Sequence, residues 1–236
     1  MDLNWLSIII LIFLLLNVLI GWRKGFLKSI ITVGTMMLAL FLTVHSYTYL
    51  SKGIQMYTDV ESTIAENIAE ALEVNTQEKI DTKANQIIAI EGLEVPESIK
   101  TAIIDNNNHD IYDKLGVTDF YHYVGEYLSC IIVNASSFMI AFIIIWIVLL
   151  IVFKEIAENV KDVPIVGGLD KIGGIVIGVI KTILDVWVFF IGLTIVGNLD
   201  IGKNIFEMIN RSPWLSYLYD HNLLLEVITN VSKVLF

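Results

Sequence analysis

Long apolar runs separated by polar segments dominate the pattern of this chain. A helix needs about 20 residues to cross the roughly 30 Å hydrocarbon core of a bilayer. Four runs have about that length or more: Trp5–Trp22, Phe26–Leu50, Tyr127–Phe153, and a last run from near Ile172 to near Gly197 or Leu199. The pattern therefore predicts an all-α integral membrane protein with four transmembrane helices.

A short basic segment, Arg23 to Lys28, joins the first two runs. So short a connection predicts a helical hairpin with basic residues at its tip. We interpret the first run as a retained transmembrane helix, because a cleaved signal peptide carries positive charge before its apolar region. Here the charge before the run is Asp2, and Arg23 and Lys24 follow the run.

A hydrophilic segment, residues 51–126, separates the second and third runs. Its first apolar residues recur at the four-residue spacing of an amphipathic helix, at Val60, Ile64, Ile68 and Leu72. Two further helices are predicted, one around Ile80, Ala84, Ile87 and Ile88, and one that starts at Pro96 and carries Ile99 and Ile103. The segment holds 5 lysines and 15 carboxylates, so we expect a small acidic helical insert.

Two polar segments complete the pattern. Residues 154–171 are expected to form a connection that Pro164 and the Gly167–Gly168 pair interrupt. The tail is expected to form short helices on the outer surface, one starting at Ser212-Pro213 and one with a weak apolar face at Leu223, Val227, Val231 and Val234. The predicted domains are a transmembrane hairpin over 1–50, the insert over 51–126, spans three and four over 127–199, and the tail over 200–236.

Composition supports the membrane class and disfavours others. Hydrophobic residues make up 56% of the chain, against about 45–50% in a typical soluble domain. The net charge of −10 is that of the insert alone, which argues against a nucleic-acid partner because phosphate binding needs a basic face. One cysteine, Cys130, makes neither an intramolecular disulfide nor a zinc site.

The basic residues beside the runs predict the orientation, because cytoplasmic loops of membrane proteins are enriched in lysine and arginine. The two short connections carry six of them, at Arg23, Lys24, Lys28, Lys154, Lys161 and Lys171. Lys52 and Lys203 are the ones near the opposite membrane face. We therefore expect a multi-pass plasma (inner) membrane protein with cytoplasmic connections and with extracytoplasmic termini, insert and tail.

The last run gathers its charged and small residues on one face. At 100° per residue this face contains Asp170, Gly174, Gly178, Lys181 and Asp185. Gly174 and Gly178 have the small-xxx-small spacing that lets another helix approach closely. A charge inside a span costs about 2.5–3.5 kcal/mol on insertion scales, and Lys181 and Asp185 have the spacing to pair.

The residues leave several roles for this face open. Close packing against a neighbouring helix explains the glycines, and an interfacial lysine that helps to set the topology explains Lys181. The face would alternatively line a crevice or permeation path, or form an ion pair between subunits.

Catalytic motifs are absent from the sequence. It has no G-x-S-x-G, Walker, G-x-G-x-x-G or H-E-x-x-H pattern, and its four histidines are scattered. We therefore expect a non-enzymatic protein with no cofactor, no metal ion and no identified small-molecule substrate, and a membrane enzyme is the least favoured hypothesis.

Two ordered motifs carry a family resemblance. The first is the turn after the first run, with Gly21, Arg23, Lys24, Gly25 and Phe26. The second enters the last run, with Leu169, Asp170, Lys171, Gly173, Gly174, Gly178 and Lys181. Together with the four-run layout, over about 1–50 and 128–197, they resemble the colicin V production protein (CvpA) family.

The resemblance implies a bacterial inner-membrane protein linked to toxin production or export and to envelope function, without a family-wide enzymatic activity or cofactor. The expected partners are the lipid bilayer and further copies of the chain or other membrane proteins, with assembly through the glycine face. The alternative is a small oligomeric channel or transporter with a polar path at Lys181 and Asp185.

Overall fold

The computed structural model describes residues 4–75, 80, 82–93, 95–159, 167–197 and 199–229. These residues are helical apart from short connections, in agreement with the predicted all-helical class. The helices in chain order are α1 Trp5–Tyr57, α2 Val60–Asn75, α3 Lys83–Glu91, α4 Glu97–Asp105, α5 His109–Leu115, α6 Phe120–Asn159, α7 Gly167–Ile195, α8 Asp200–Asn210, α9 Pro213–Asp220 and α10 Leu223–Thr229. Lys161, Pro164, Val231 and Val234, which the sequence interpretation used, lie outside the described residues.

By length and composition, three of the described helices could cross a membrane: α1, α6 over Phe120–Phe153, and α7 over Leu169–Ile195. The two predicted N-terminal spans fall within the single element α1. The basic segment Arg23–Lys28 is therefore not a separate loop. Only Gly25 leaves the helical conformation, with φ 76° and ψ 175°, a combination that is essentially restricted to glycine.

The chain reverses direction at this glycine. Residues 5–24 form one arm of α1 and residues 26–57 form the other. Asn17 and Val33, eight residues before and after Gly25, line one small crevice together with Gly178 and Lys181 of α7. In a straight helix Asn17 and Val33 would be about 24 Å apart, so the two arms lie side by side.

The main core joins both arms of α1 to α6, α7 and the C-terminal helices. Its fully buried side chains include Phe138 of α6, Phe190 of α7, and Leu215 and Tyr219 of α9. The Tyr47 hydroxyl donates to the Val227 carbonyl over 2.9 Å, so α1 is also tied to α10.

The tail forms short helices, as the sequence predicts, and their apolar side chains belong to the main core. Apolar residues of α8 to α10 are buried against α7 and α1, whereas Leu223, expected on the apolar face, is 64% exposed. Ser212 precedes α9 as predicted, but its hydroxyl lies 3.2 Å from that of Ser7 and does not cap the helix. Gly167 and Gly168, which the sequence predicts to interrupt the connection, are the first two residues of α7.

Residues of the insert form a second core on the first turns of α6. Ile90, Ile99 and Ile103 pack there with Tyr123 and Tyr127. The helix after Pro96 and its two inward isoleucines are as predicted. In α3, however, Ile90 is buried while Ile87 and Ile88 are exposed.

Small residues decide which face of α2 is buried. Ala65 and Ala69 are buried. Of the predicted stripe, Ile68 and Leu72 are partly buried and pack on the second core, and Val60 is 48% exposed. Gly125 of α6 lies so close that a Cβ on it would be 2.5 Å from the Ala65 carbonyl oxygen. The close approach of α2 and α6 therefore favours alanines at their contact.

Two isoleucines of equal size on neighbouring insert helices test this core. Ile103→Ala should lower the free energy of unfolding by about 2–5 kcal/mol, because Ile103 is completely buried and its loss leaves a cavity. Ile88→Ala should change it by less than about 0.5 kcal/mol, because Ile88 is 69% exposed. Pulse proteolysis of the purified protein in detergent would measure both, and equal losses would contradict the described packing.

Candidate functional site

A glycine seam joins the 5–24 arm of α1 to α7, and the two helices run antiparallel along it. Gly174 packs on Gly21, and a Cβ on either residue would collide with the other's carbonyl oxygen. One turn further, a Cβ on Gly178 would be 2.6 Å from the Asn17 carbonyl oxygen. Gly21, Gly174 and Gly178 must therefore all be glycine for the two backbones to approach this closely.

The Asp170 carboxylate fixes the turn at the end of this seam. Its Oδ1 accepts a hydrogen bond from the Phe26 backbone N–H over 2.7 Å. Phe26 is the first helical residue after Gly25, and N–H groups there have no partner within their own helix. Asp170 thus acts as an N-cap supplied by another helix, and Gly25 has no room for a side chain beside it. Lys171 adds a cation–π contact, with its Nζ 5.7 Å from the Trp22 ring centre.

A polar network lies further along the seam. Lys181 Nζ donates to Asp185 Oδ2 over 2.5 Å, so the predicted pair forms within α7. The Asn17 amide of α1 donates to Thr182 Oγ1 over 3.2 Å and to Asp185 Oδ2 over 3.4 Å. The carboxylate therefore receives donors from both helices, which offsets the cost of placing charge between apolar segments.

A polar crevice of about 170 Å³ opens between the two arms of α1 and α7. Its polar lining consists of Asn17, Lys24, Ser29, Thr32 and Lys181. Beyond Lys181 the same helices pack through the main apolar core, so the crevice is closed at that end.

The structure brings the two sequence motifs together. Gly21, Gly25 and Phe26 contact Gly174, Asp170 and Gly173, respectively. Lys24 lines the crevice with Gly178 and Lys181, and Arg23 is exposed beside it. The glycine face is occupied by the same chain, so it is not free for the assembly between copies that the sequence suggested.

Sequence reasoning assigned no specific role to Thr182 or Ser29. The 100° projection of α7 would have placed Thr182 near Gly178, to whose carbonyl its hydroxyl donates over 3.0 Å. No signal within α7 could identify Asn17 as the donor to Thr182 and Asp185, because only the packing of α1 on α7 brings these residues together.

Apolar helices long enough to span a bilayer, joined by a glycine seam with buried polar bonds, define a helical membrane protein. This chain belongs to the family described as Colicin V production protein, whose model matches residues 6–73 and 116–221. The match extends into the insert and through α9, further than the two motifs. No curated protein and no solved structure matches the chain.

The glycine seam predicts opposite effects for two glycines of α1 and α7. Gly174→Ala should destabilise the protein by about 1–3 kcal/mol or more, because its methyl group would meet the Gly21 backbone. Gly34→Ala should be neutral or stabilising by up to about 1 kcal/mol, because no neighbour lies within 4 Å of the added Cβ and alanine favours the helix. Thermal melts in detergent would compare them, and equal melting temperatures would contradict the seam.

The inter-helix cap makes a second prediction. Asp170→Ala should cost about 0.5–2 kcal/mol, as for other lost N-caps, and should speed hydrogen exchange at the Phe26 amide. Asp170→Asn should cost less, because its side-chain oxygen still accepts a hydrogen bond. Wild-type stability and unchanged Phe26 exchange in Asp170→Ala would show that the cap is absent.

Proposed function

We propose that this protein is a multi-pass component of the plasma membrane that supports colicin V-type toxin production or secretion, or envelope maintenance, without catalysing a reaction. The family assignment supplies the context. The observation that carries the non-enzymatic role is the mutual contact of the two motifs. The glycines of the two motifs and Asp170 hold the hairpin of α1 against α7. This packing accounts for the motif residues without a bound substrate.

Four membrane crossings are part of the proposal. As a straight helix, α1 would be about 80 Å long, far beyond the roughly 30 Å of hydrocarbon. The reversal at Gly25 supports one crossing by each arm, with α6 and α7 as the third and fourth. The domains predicted from the sequence are kept as part of this proposal, with the difference that α1 continues to Tyr57 and α6 begins at Phe120.

The orientation follows from the basic residues. Arg23, Lys24, Lys28 and Lys171 are exposed near the turn at Gly25, which is therefore proposed to be cytoplasmic. The termini and the acidic insert would then be extracytoplasmic.

Cysteine labelling tests this orientation. Glu91→Cys in α3 should react with a membrane-impermeant maleimide on intact cells, and Lys28→Cys should react only after permeabilisation. Both native side chains are exposed. The parent chain is the matched control, because its Cys130 is buried. The reverse labelling pattern would overturn the orientation.

Deletion and complementation test the role itself. A bacterial host lacking this protein should release less colicin V-type toxin or become more permeable to detergents, and the wild-type chain should restore it. A deletion strain that equals its parent in both assays would refute the proposed role.

The second candidate is an oligomeric channel or transporter that uses Lys181 and Asp185. The polar crevice favours it. Because the main core closes the crevice, a continuous path would need a second copy or another conformation. Reconstituted flux that Lys181→Leu and Asp185→Leu each leave unchanged would exclude this path.

A further inference from the structure

The polar crevice contains a hydroxyl group without a partner. Ser29 is 5% exposed, and its Oγ has no hydrogen-bond partner among the described residues. An unpaired buried hydroxyl is costly. The crevice volume of about 170 Å³ is about ten times the ~10–15 Å³ that a single water needs. The space therefore accommodates a larger polar group beside Ser29.

The charged groups of the crevice favour an anion. Lys24 and Lys181 line the crevice. The Asp185 carboxylate is not part of the lining but is paired with Lys181. Asp185 neutralises one lysine, which leaves a single positive charge. Asp170 does not line the crevice, and its carboxylate accepts a hydrogen bond from the Phe26 N–H.

The mixture of donors fits a phosphate group. Lysine binds phosphate as a point charge, and Ser29 adds a hydroxyl group that has no other partner among the described residues. The Asn17 amide and the Thr32 hydroxyl also line the crevice, but they already donate to Thr182, Asp185 and the Lys28 carbonyl. A phosphodiester carries one negative charge, which equals the excess positive charge of the crevice. Ile20, Val33 and Ile177 line the remaining wall and supply an apolar surface for an attached chain.

The position of the crevice fits the same chemistry. Lys24 lies next to the turn at Gly25, where Arg23, Lys28 and Lys171 are also exposed. Basic pockets between helices near a membrane surface are typical sites for anionic lipid headgroups.

We propose that the crevice is a binding site for a phosphate oxyanion, held by Lys24, Lys181 and Ser29. The phosphate is either the headgroup of an anionic phospholipid or a free phosphate. The site requires only the crevice geometry, so it stands apart from the toxin or envelope role.

Two binding measurements on the purified full-length chain in detergent test the site and its source. Native mass spectrometry would compare phosphatidylglycerol with diacylglycerol of the same acyl chains, which lacks the phosphate. Calorimetry would titrate inorganic phosphate. Preferential binding of one phosphatidylglycerol identifies a lipid headgroup, and saturable binding of inorganic phosphate alone identifies a free anion.

Three variants locate the site. Lys24→Gln and Ser29→Ala should each weaken binding about tenfold, as expected for one hydrogen bond to a charged group. Lys28→Gln is the matched control, because Lys28 is exposed on the same turn but does not line the crevice, and it should leave binding unchanged. Ser29→Ala should also keep the melting temperature of the empty protein, since it removes an unpaired hydroxyl.

Three results would overturn the proposal. In the first, neither phosphatidylglycerol nor inorganic phosphate binds saturably. In the second, diacylglycerol binds as tightly as phosphatidylglycerol. In the third, Lys28→Gln weakens binding as much as Lys24→Gln, which would indicate general attraction to a basic surface.

Discussion

The close approach of two backbones, Gly21 of α1 against Gly174 of α7, is the contact on which the rest of the structure depends. Between apolar helices in lipid the hydrophobic effect adds little, so association depends on van der Waals packing and interhelical hydrogen bonds. Glycines at the contact provide both, since they bring backbones together and bring Asn17 within reach of Thr182 and Asp185. A single methyl group on this seam would separate the helices and break that network.

The reversal at Gly25 depends on the same contact. Its backbone conformation is available essentially to glycine alone, and the N–H of Phe26 after it needs an acceptor from elsewhere. Asp170 provides the acceptor because the seam places the start of α7 beside the turn. Turn, cap and seam therefore stabilise one another, and the crevice is the space that remains between the two arms and α7.

The sequence predicts the helical class, the four apolar runs, the shared face of α7 and the pairing of Lys181 with Asp185. It could not identify the helix that covers this face, because a small-xxx-small pattern permits close approach without specifying a partner. It also could not show that one residue makes the turn, since Gly25 lies within a run of good helix formers. In the insert, the spacing of large apolar residues correctly predicts that Ile68 and Leu72 of α2 pack on the second core. It could not show that Ala65 and Ala69 make the closest contact with Gly125 of α6.

The distance between the two arms of α1 tests this account most directly. Spin labels at positions 13 and 37, both exposed and each twelve residues from Gly25, can be introduced in a Cys130→Ala background and measured by pulsed electron resonance. Side-by-side arms predict a label separation below about 20 Å, given helix axes about 10 Å apart. A separation of about 36 Å or more, the length of 24 residues of continuous helix, would contradict the reversal at Gly25 and the seam that depends on it.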